Sequence, residues 1–156
     1  MLMPTPPTSS TRWTATLLAC MFTVLPQPAL AQAADSAKTS VVSTVSGIYT
    51  AAQAELGRNV YQATCRSCHT PGELAGTKFW NGWVGRTLGE LFGYLRSSMP
   101  KDNPSSLADD DYASATAYLL QLNQMPAGQR ELPADSTALA KIRVVPADTI
   151  KKGLRQ

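Results

Sequence analysis

Histidine is almost missing from this sequence: 156 residues contain one, His69. Cysteine is scarce as well, with Cys20, Cys65 and Cys68 only. A tetrahedral zinc site takes four ligands, and Cys and His are too few here to build one without carboxylates once Cys20 is set apart. No dense block of lysine or arginine occurs, and the formal net charge is only +3, so nucleic-acid binding has little support. Long hydrophobic runs are absent too. The longest, residues 13–25, is too short for a hydrocarbon layer of roughly 30 Å, so no integral span is expected. The βαβ alternation expected around a thioredoxin-like thiol pair is missing. There is no internal repeat. What remains is a length suited to one domain and an ordinary hydrophobic content of 44%.

The N-terminus reads as a targeting segment. Residues 1–12 are rich in Pro, Ser and Thr and carry one charge, Arg12. The apolar run of residues 13–25 follows, then the helix breakers Pro26 and Pro28, then Ala31-Gln32-Ala33. That order is the layout of a secretory signal peptide, residues 1–33, with cleavage expected after Ala33 and Ala31 as the alternative. Leu17-Leu18-Ala19-Cys20 loosely resembles a lipoprotein box, which would leave Cys20 lipidated. Against that, the apolar run continues past Cys20 and few apolar residues precede it. The expected location is therefore the periplasm.

Removal of the leader leaves two cysteines. Export permits a disulfide between them. However, Cys65-Arg66-Ser67-Cys68-His69 is the signature of covalent haem attachment. The two thiols can add to the two haem vinyl groups, and two intervening residues give the spacing that spans them. His69, directly after Cys68, is placed to ligate the iron from one face. One covalent haem c is expected.

The remaining sequence is read as helices and loops. Residues 34–46 are small and polar and make a linker, in which Val41, Val42 and Val45 could form a short strand. A helix should start at Thr50, with Thr50 and Gln53 forming a capping box, and run into Cys65–His69. Residues 70–86 are rich in glycine and turn formers and read as an irregular loop carrying Phe79, Trp80 and Trp83. Leu88, Leu91, Phe92 and Leu95 have helical spacing and mark a helix over about 87–98, ended by Met99-Pro100. A third helix spans about 109–124, with Asp109, Asp110 and Asp111 in its first turn and a buried stripe at Tyr112, Ala115, Leu119 and Leu122. Ala108 is a poor cap, so Asp109 is expected to cap it. Pro126-Ala127-Gly128 closes the domain, 47–128. The tail, 129–156, carries six basic and three acidic residues, against six and seven in the domain, so positive charge concentrates after it. Its segment 138–145 either docks on a partner or wraps its own domain.

The second face of the iron needs a ligand. After cleavage the remaining methionines are Met99 and Met125. Met99 lies in a loop that can bring its sulfur to the haem, whereas Met125 ends the last helix, a position suited to packing. His69 and Met99 are the expected pair, since His/Met ligation recurs in such cytochromes. A domain near the lower limit of independent stability would also gain buried surface from the macrocycle.

The run Gly57-x-x-x-Tyr61, Cys65-x-x-Cys68-His69, Trp83-x-Gly85-x-Thr87, Met99-Pro100 and Ala117-Tyr118-Leu119-Leu120 resembles class I c-type cytochromes. It looks nearest to the cytochrome c domains that accompany periplasmic pyrroloquinoline-quinone (PQQ) dehydrogenases. The resemblance implies an all-α fold whose first and last helices cross near Gly57, Tyr61 and Tyr118. It also implies that Trp83 lies against the haem, with an indole N–H available to a propionate; plain core packing is the alternative. Arg86 could pair with a propionate or stand solvated at the surface. The function implied is a carrier of single electrons, not an enzyme, whose partner is a dehydrogenase, a terminal oxidase or another cytochrome. The alternative is a haem enzyme or gas sensor with an open or displaceable sixth ligand.

Overall fold

The computed structural model describes residues 42–148. The leader with Cys20, residues 34–41 of the linker and residues 149–156 of the tail lie outside the described residues. Five α-helices follow in order: α1 Ala51–Val60, α2 Thr77–Trp83, α3 Leu88–Ser98, α4 Asp109–Leu122 and α5 Ser136–Leu139. Among the described residues β-type pairing is confined to two single bridges, Ser43 with Arg143 and Thr87 with Arg143.

The valine-rich linker makes no strand in its described part. Thr44–Ser46 is one 3-10 turn. The residue it buries is Thr44, whose hydroxyl donates to the Val145 carbonyl and accepts from the Val145 N–H, each at 3.0 Å.

α1 begins where expected. Thr50 caps it, accepting from the Gln53 N–H at 3.0 Å. The reciprocal half of the capping box is not made, because the Gln53 side chain turns inward. Its Nε2 donates to the Leu132 carbonyl at 3.0 Å, and its Oε1 accepts from the Leu132 N–H at 2.8 Å. A buried amide must find partners, and the tail backbone supplies both. Past Val60 the chain widens into a single π-type turn, Tyr61–Cys65, with the Arg66 N–H donating to Tyr61 at 2.9 Å.

Residues 70–86 are not the irregular loop expected from their glycines. Pro71–Leu74 is a 3-10 turn closed by a complete Thr70/Glu73 capping box, and α2 follows it. Asp109 does not cap α4. It lies inside the first turn, the cap position is Ala108, and the Asp109 carboxylate instead accepts from Arg96 Nε at 2.6 Å. Nor is α4 buried along one stripe. Ala113, Thr116, Ala117 and Leu120 are buried beside Tyr112 and Leu119, because α1 covers one side of the helix and α3 another.

α1 and α4 touch through backbone. A Cβ built on Gly57 would lie 1.8 Å from the Ser114 carbonyl oxygen and 2.9 Å from Tyr118 Cβ. Only glycine permits that approach. A similar contact closes the domain, where a Cβ on Gly128 would lie 1.8 Å from the Gly47 oxygen.

Of the two readings of segment 138–145, the structure shows the one that wraps its own domain. Leu132, Leu139 and Val144 join the core with Leu88, Leu91, Phe92 and Tyr112. The Leu88 N–H donates to Ile142, Gly85 to Val144, Val144 to Arg86 and Thr44 to Arg143, each at 2.9 Å. The boundary expected at 128 therefore does not end the core, which extends through Val144.

Gly57→Ala should cost about 1–3 kcal/mol or more, since the two helices must part to admit the methyl group. Gly93→Ala in α3, where a Cβ meets nothing within 4 Å, should instead stabilise by about 0.5–1 kcal/mol. Thermal unfolding of the two variants checks both signs. Gln53→Ala leaves the Leu132 amide and carbonyl without partners, at about 1–3 kcal/mol for each. Limited proteolysis should show faster cleavage between residues 129 and 135 in that variant.

Candidate functional site

Elements distant in sequence line one cavity of about 1050 Å³. The end of α1 and the turn after it supply Tyr61, Cys65, Cys68 and His69. α2 supplies Phe79 and Trp83, α3 supplies Leu91 and Leu95, and α4 supplies Tyr118 and Leu119. Met99 enters from the residue that ends α3. The volume is at the top of the range of roughly 300–1,000 Å³ usual for small-molecule pockets, and the walls are mainly apolar. All five residues singled out from the sequence, Cys65, Cys68, His69, Met99 and Trp83, therefore meet in one place. Met125 does not join them. It is 3% exposed, sits in the core, and its carbonyl accepts from the Tyr49 hydroxyl at 2.6 Å.

The Cys-x-x-Cys-His segment is held by local bonds. Cys68 and His69 both donate their N–H groups to the Cys65 carbonyl, at 3.1 and 2.9 Å. The Tyr61 hydroxyl donates to the His69 carbonyl at 2.6 Å. The Tyr61 ring packs on Tyr118 of α4 with centroids 5.4 Å apart. On the far side, the Thr70 N–H donates to the Glu73 carboxylate at 3.0 Å. The Thr70 backbone and hydroxyl hold the Glu73 carboxyl below its ordinary range. His69 thus lies between two anchored turns.

Cys65 is half-buried and Cys68 exposed, and both thiols are free. Burial pushes the Cys65 thiol up. Burial of Cys65 does not favour the stabilised thiolate that a redox thiol pair depends on. No group of three or more His, Cys, Asp or Glu side chains among the described residues is placed to hold a metal ion. Two free thiols, one imidazole and one thioether on the walls of an apolar cavity suit a covalently attached macrocycle better than either.

Met99 is extended, with φ −128° and ψ 148°, as expected of a residue before proline. Its N–H still donates to Leu95 at 3.0 Å. Trp83 packs against Tyr94 with ring centroids 5.6 Å apart, and the Arg86 guanidinium lies 4.6 Å from the centre of its ring. Arg86 also donates to Glu90 at 3.1 Å. It lies half-exposed between Trp83 and Glu90.

Some positioning groups were not anticipated. Asn123, buried at the end of α4, donates through Nδ2 to Leu74 at 3.1 Å and accepts from the Gly76 N–H at 3.0 Å. It fixes the turn that precedes α2. The Thr70-x-x-Glu73 spacing with Pro71 between was a readable signal for the turn itself.

Residues 52–119 match the family model described as cytochrome C oxidase, cbb3-type, subunit III. The match supports a cytochrome c domain. No curated protein and no solved structure matches the chain. The helical architecture is the class I cytochrome c fold, and a cytochrome c domain implies covalent haem c. No helix among the described residues is long and apolar enough to cross a membrane.

Replacing both Cys65 and Cys68 with Ser should abolish covalent haem retention. Haem staining after denaturing electrophoresis checks this: the unaltered protein should keep its colour and the double variant should lose it.

Proposed function

We propose that the protein is a periplasmic mono-haem cytochrome that carries single electrons, with His69 and Met99 as the residues that would hold its iron. The observation that carries this reading is the placement of Met99 on the wall of the cavity that holds Cys65, Cys68 and His69, while Met125 is spent in the core. When bound, the haem supplies a one-electron iron couple. His/Met ligation raises its potential, and the soft thioether favours the ferrous state.

The chain's own residues do the rest. Cys65 and Cys68 fix the macrocycle, and His69 is oriented by the turn that Tyr61 ties down. Phe79, Leu91, Leu95 and Leu119 exclude water from the apolar part of the cavity. Trp83, on the same wall, has an indole N–H to offer a propionate. If His69 and Met99 both hold the iron, no open site would be left for a substrate. The role is therefore electron transfer, and a haem enzyme or gas sensor is the weaker alternative.

A signal peptide at residues 1–33 supports the periplasmic location. Two classes of partner follow. The matched family is named for an oxidase subunit, which supports a terminal oxidase. The resemblance to cytochromes that accompany PQQ dehydrogenases supports a dehydrogenase, with this protein as its small haem subunit or acceptor. Mass spectrometry of what co-purifies with the native protein distinguishes a dehydrogenase from an oxidase or a second cytochrome.

The ligand assignment has a direct test. The purified protein should be low-spin in both oxidation states. Met99→Ala should become high-spin in the ferric state and bind CO rapidly when reduced, whereas Met125→Ala should leave the spectrum low-spin. A switch caused by Met125→Ala and not by Met99→Ala would show the assignment to be wrong.

A further inference from the structure

The segment that carries Met99 crosses from α3 to α4, and few bonds hold it. Within α3 the Met99 N–H reaches Leu95 at 3.0 Å. The Met99 carbonyl faces the other way and accepts from the Tyr112 hydroxyl at 2.7 Å. Tyr112 is on the first turns of α4 and is 2% exposed, so its ring is fixed by the core and its hydroxyl is delivered to one place. The flanking ties hold neighbours, not Met99 itself. Arg96 pairs with Asp109 at 2.6 Å, and the Ser105 hydroxyl donates to the Arg96 carbonyl at 3.0 Å.

We infer that Tyr112 is a positioning residue for the iron's methionine ligand: its hydroxyl, through the Met99 carbonyl, holds the thioether in the cavity and limits how often the sixth position opens. The inference rests on the His69/Met99 reading above. An exogenous ligand such as imidazole can bind only when Met99 is displaced, so its apparent affinity is reduced by the small fraction of open protein. Removing one ordinary hydrogen bond should raise that fraction roughly 2- to 10-fold.

The test uses full-length holoprotein and ferric imidazole titration followed by absorption. Tyr112→Phe keeps the ring and its packing. It should remain low-spin at rest and bind imidazole roughly 2- to 10-fold more tightly than the unaltered protein. Tyr49→Phe is the matched control. It loses the same kind of bond, hydroxyl to a methionine carbonyl, but at Met125 in the core. It should leave imidazole affinity unchanged. Equal tightening in both variants would mean general loosening of the fold and would overturn the proposal, as would unchanged affinity in Tyr112→Phe. Met99→Ala separates the two ways of failing. A low-spin spectrum in that variant overturns the ligand assignment and the Tyr112 role with it. A high-spin spectrum there, together with unchanged imidazole affinity in Tyr112→Phe, overturns the Tyr112 role alone.

Discussion

The backbone contact between α1 and α4 at Gly57 is the constraint on which the rest of the domain depends. It brings the Ser114 carbonyl to where any other side chain would stand. In the π-type turn that follows α1, Tyr61 packs on Tyr118 of α4, and the same tyrosine bonds the His69 carbonyl. The crossing point therefore sets where the Cys-x-x-Cys-His turn lies relative to α4. Because α4 also carries Leu119 on the cavity wall and Asn123 on the turn before α2, one helix contact registers three sides of the site.

A domain of this size has little core to spare. The chain answers in two ways. A cytochrome c domain takes a large apolar group into its interior, and the segment after the last long helix adds Leu132, Leu139 and Val144 to the core. Gln53 anchors the start of that segment through its side-chain amide, and residues 85–88 anchor its end by backbone pairing, with the Arg143 guanidinium donating to the Gly85 carbonyl as well. Arg130, Lys141 and Arg143 stay exposed on a segment whose Leu132, Leu139 and Val144 are committed inward.

The two axial candidates are held in different ways. His69 is enclosed by turns whose bonds are local in sequence, so its position is settled by short-range geometry. Met99 ends a helix and is tied on its far side to another helix, so its position depends on how α3 and α4 dock. A ligand held through tertiary contacts can be displaced without unfolding its own segment.

Local chemistry was legible from residues alone. Cys65, Cys68 and His69 are contiguous, so their joint role needs no folding to be seen. The cap at Thr50 and the stop at Met99-Pro100 follow from backbone sterics and hydrogen bonding over a few residues. The choice of Met99 over Met125 could be argued from position, but burial of Met125 became visible only when the core was assembled. α2 was hidden because four glycines between 72 and 85 look like loop, while Asn123 and the bridge residues that order them lie far along the chain. The inward turn of Gln53 was equally invisible, since its partner Leu132 is 79 residues away. The sequence by itself determined the Cys-x-x-Cys-His segment, the start of α1 and the stop of α3, which are properties of neighbouring residues. Tertiary structure decided the cavity, the fate of the tail and the anchoring of Met99, because each depends on contacts between segments that only packing brings together.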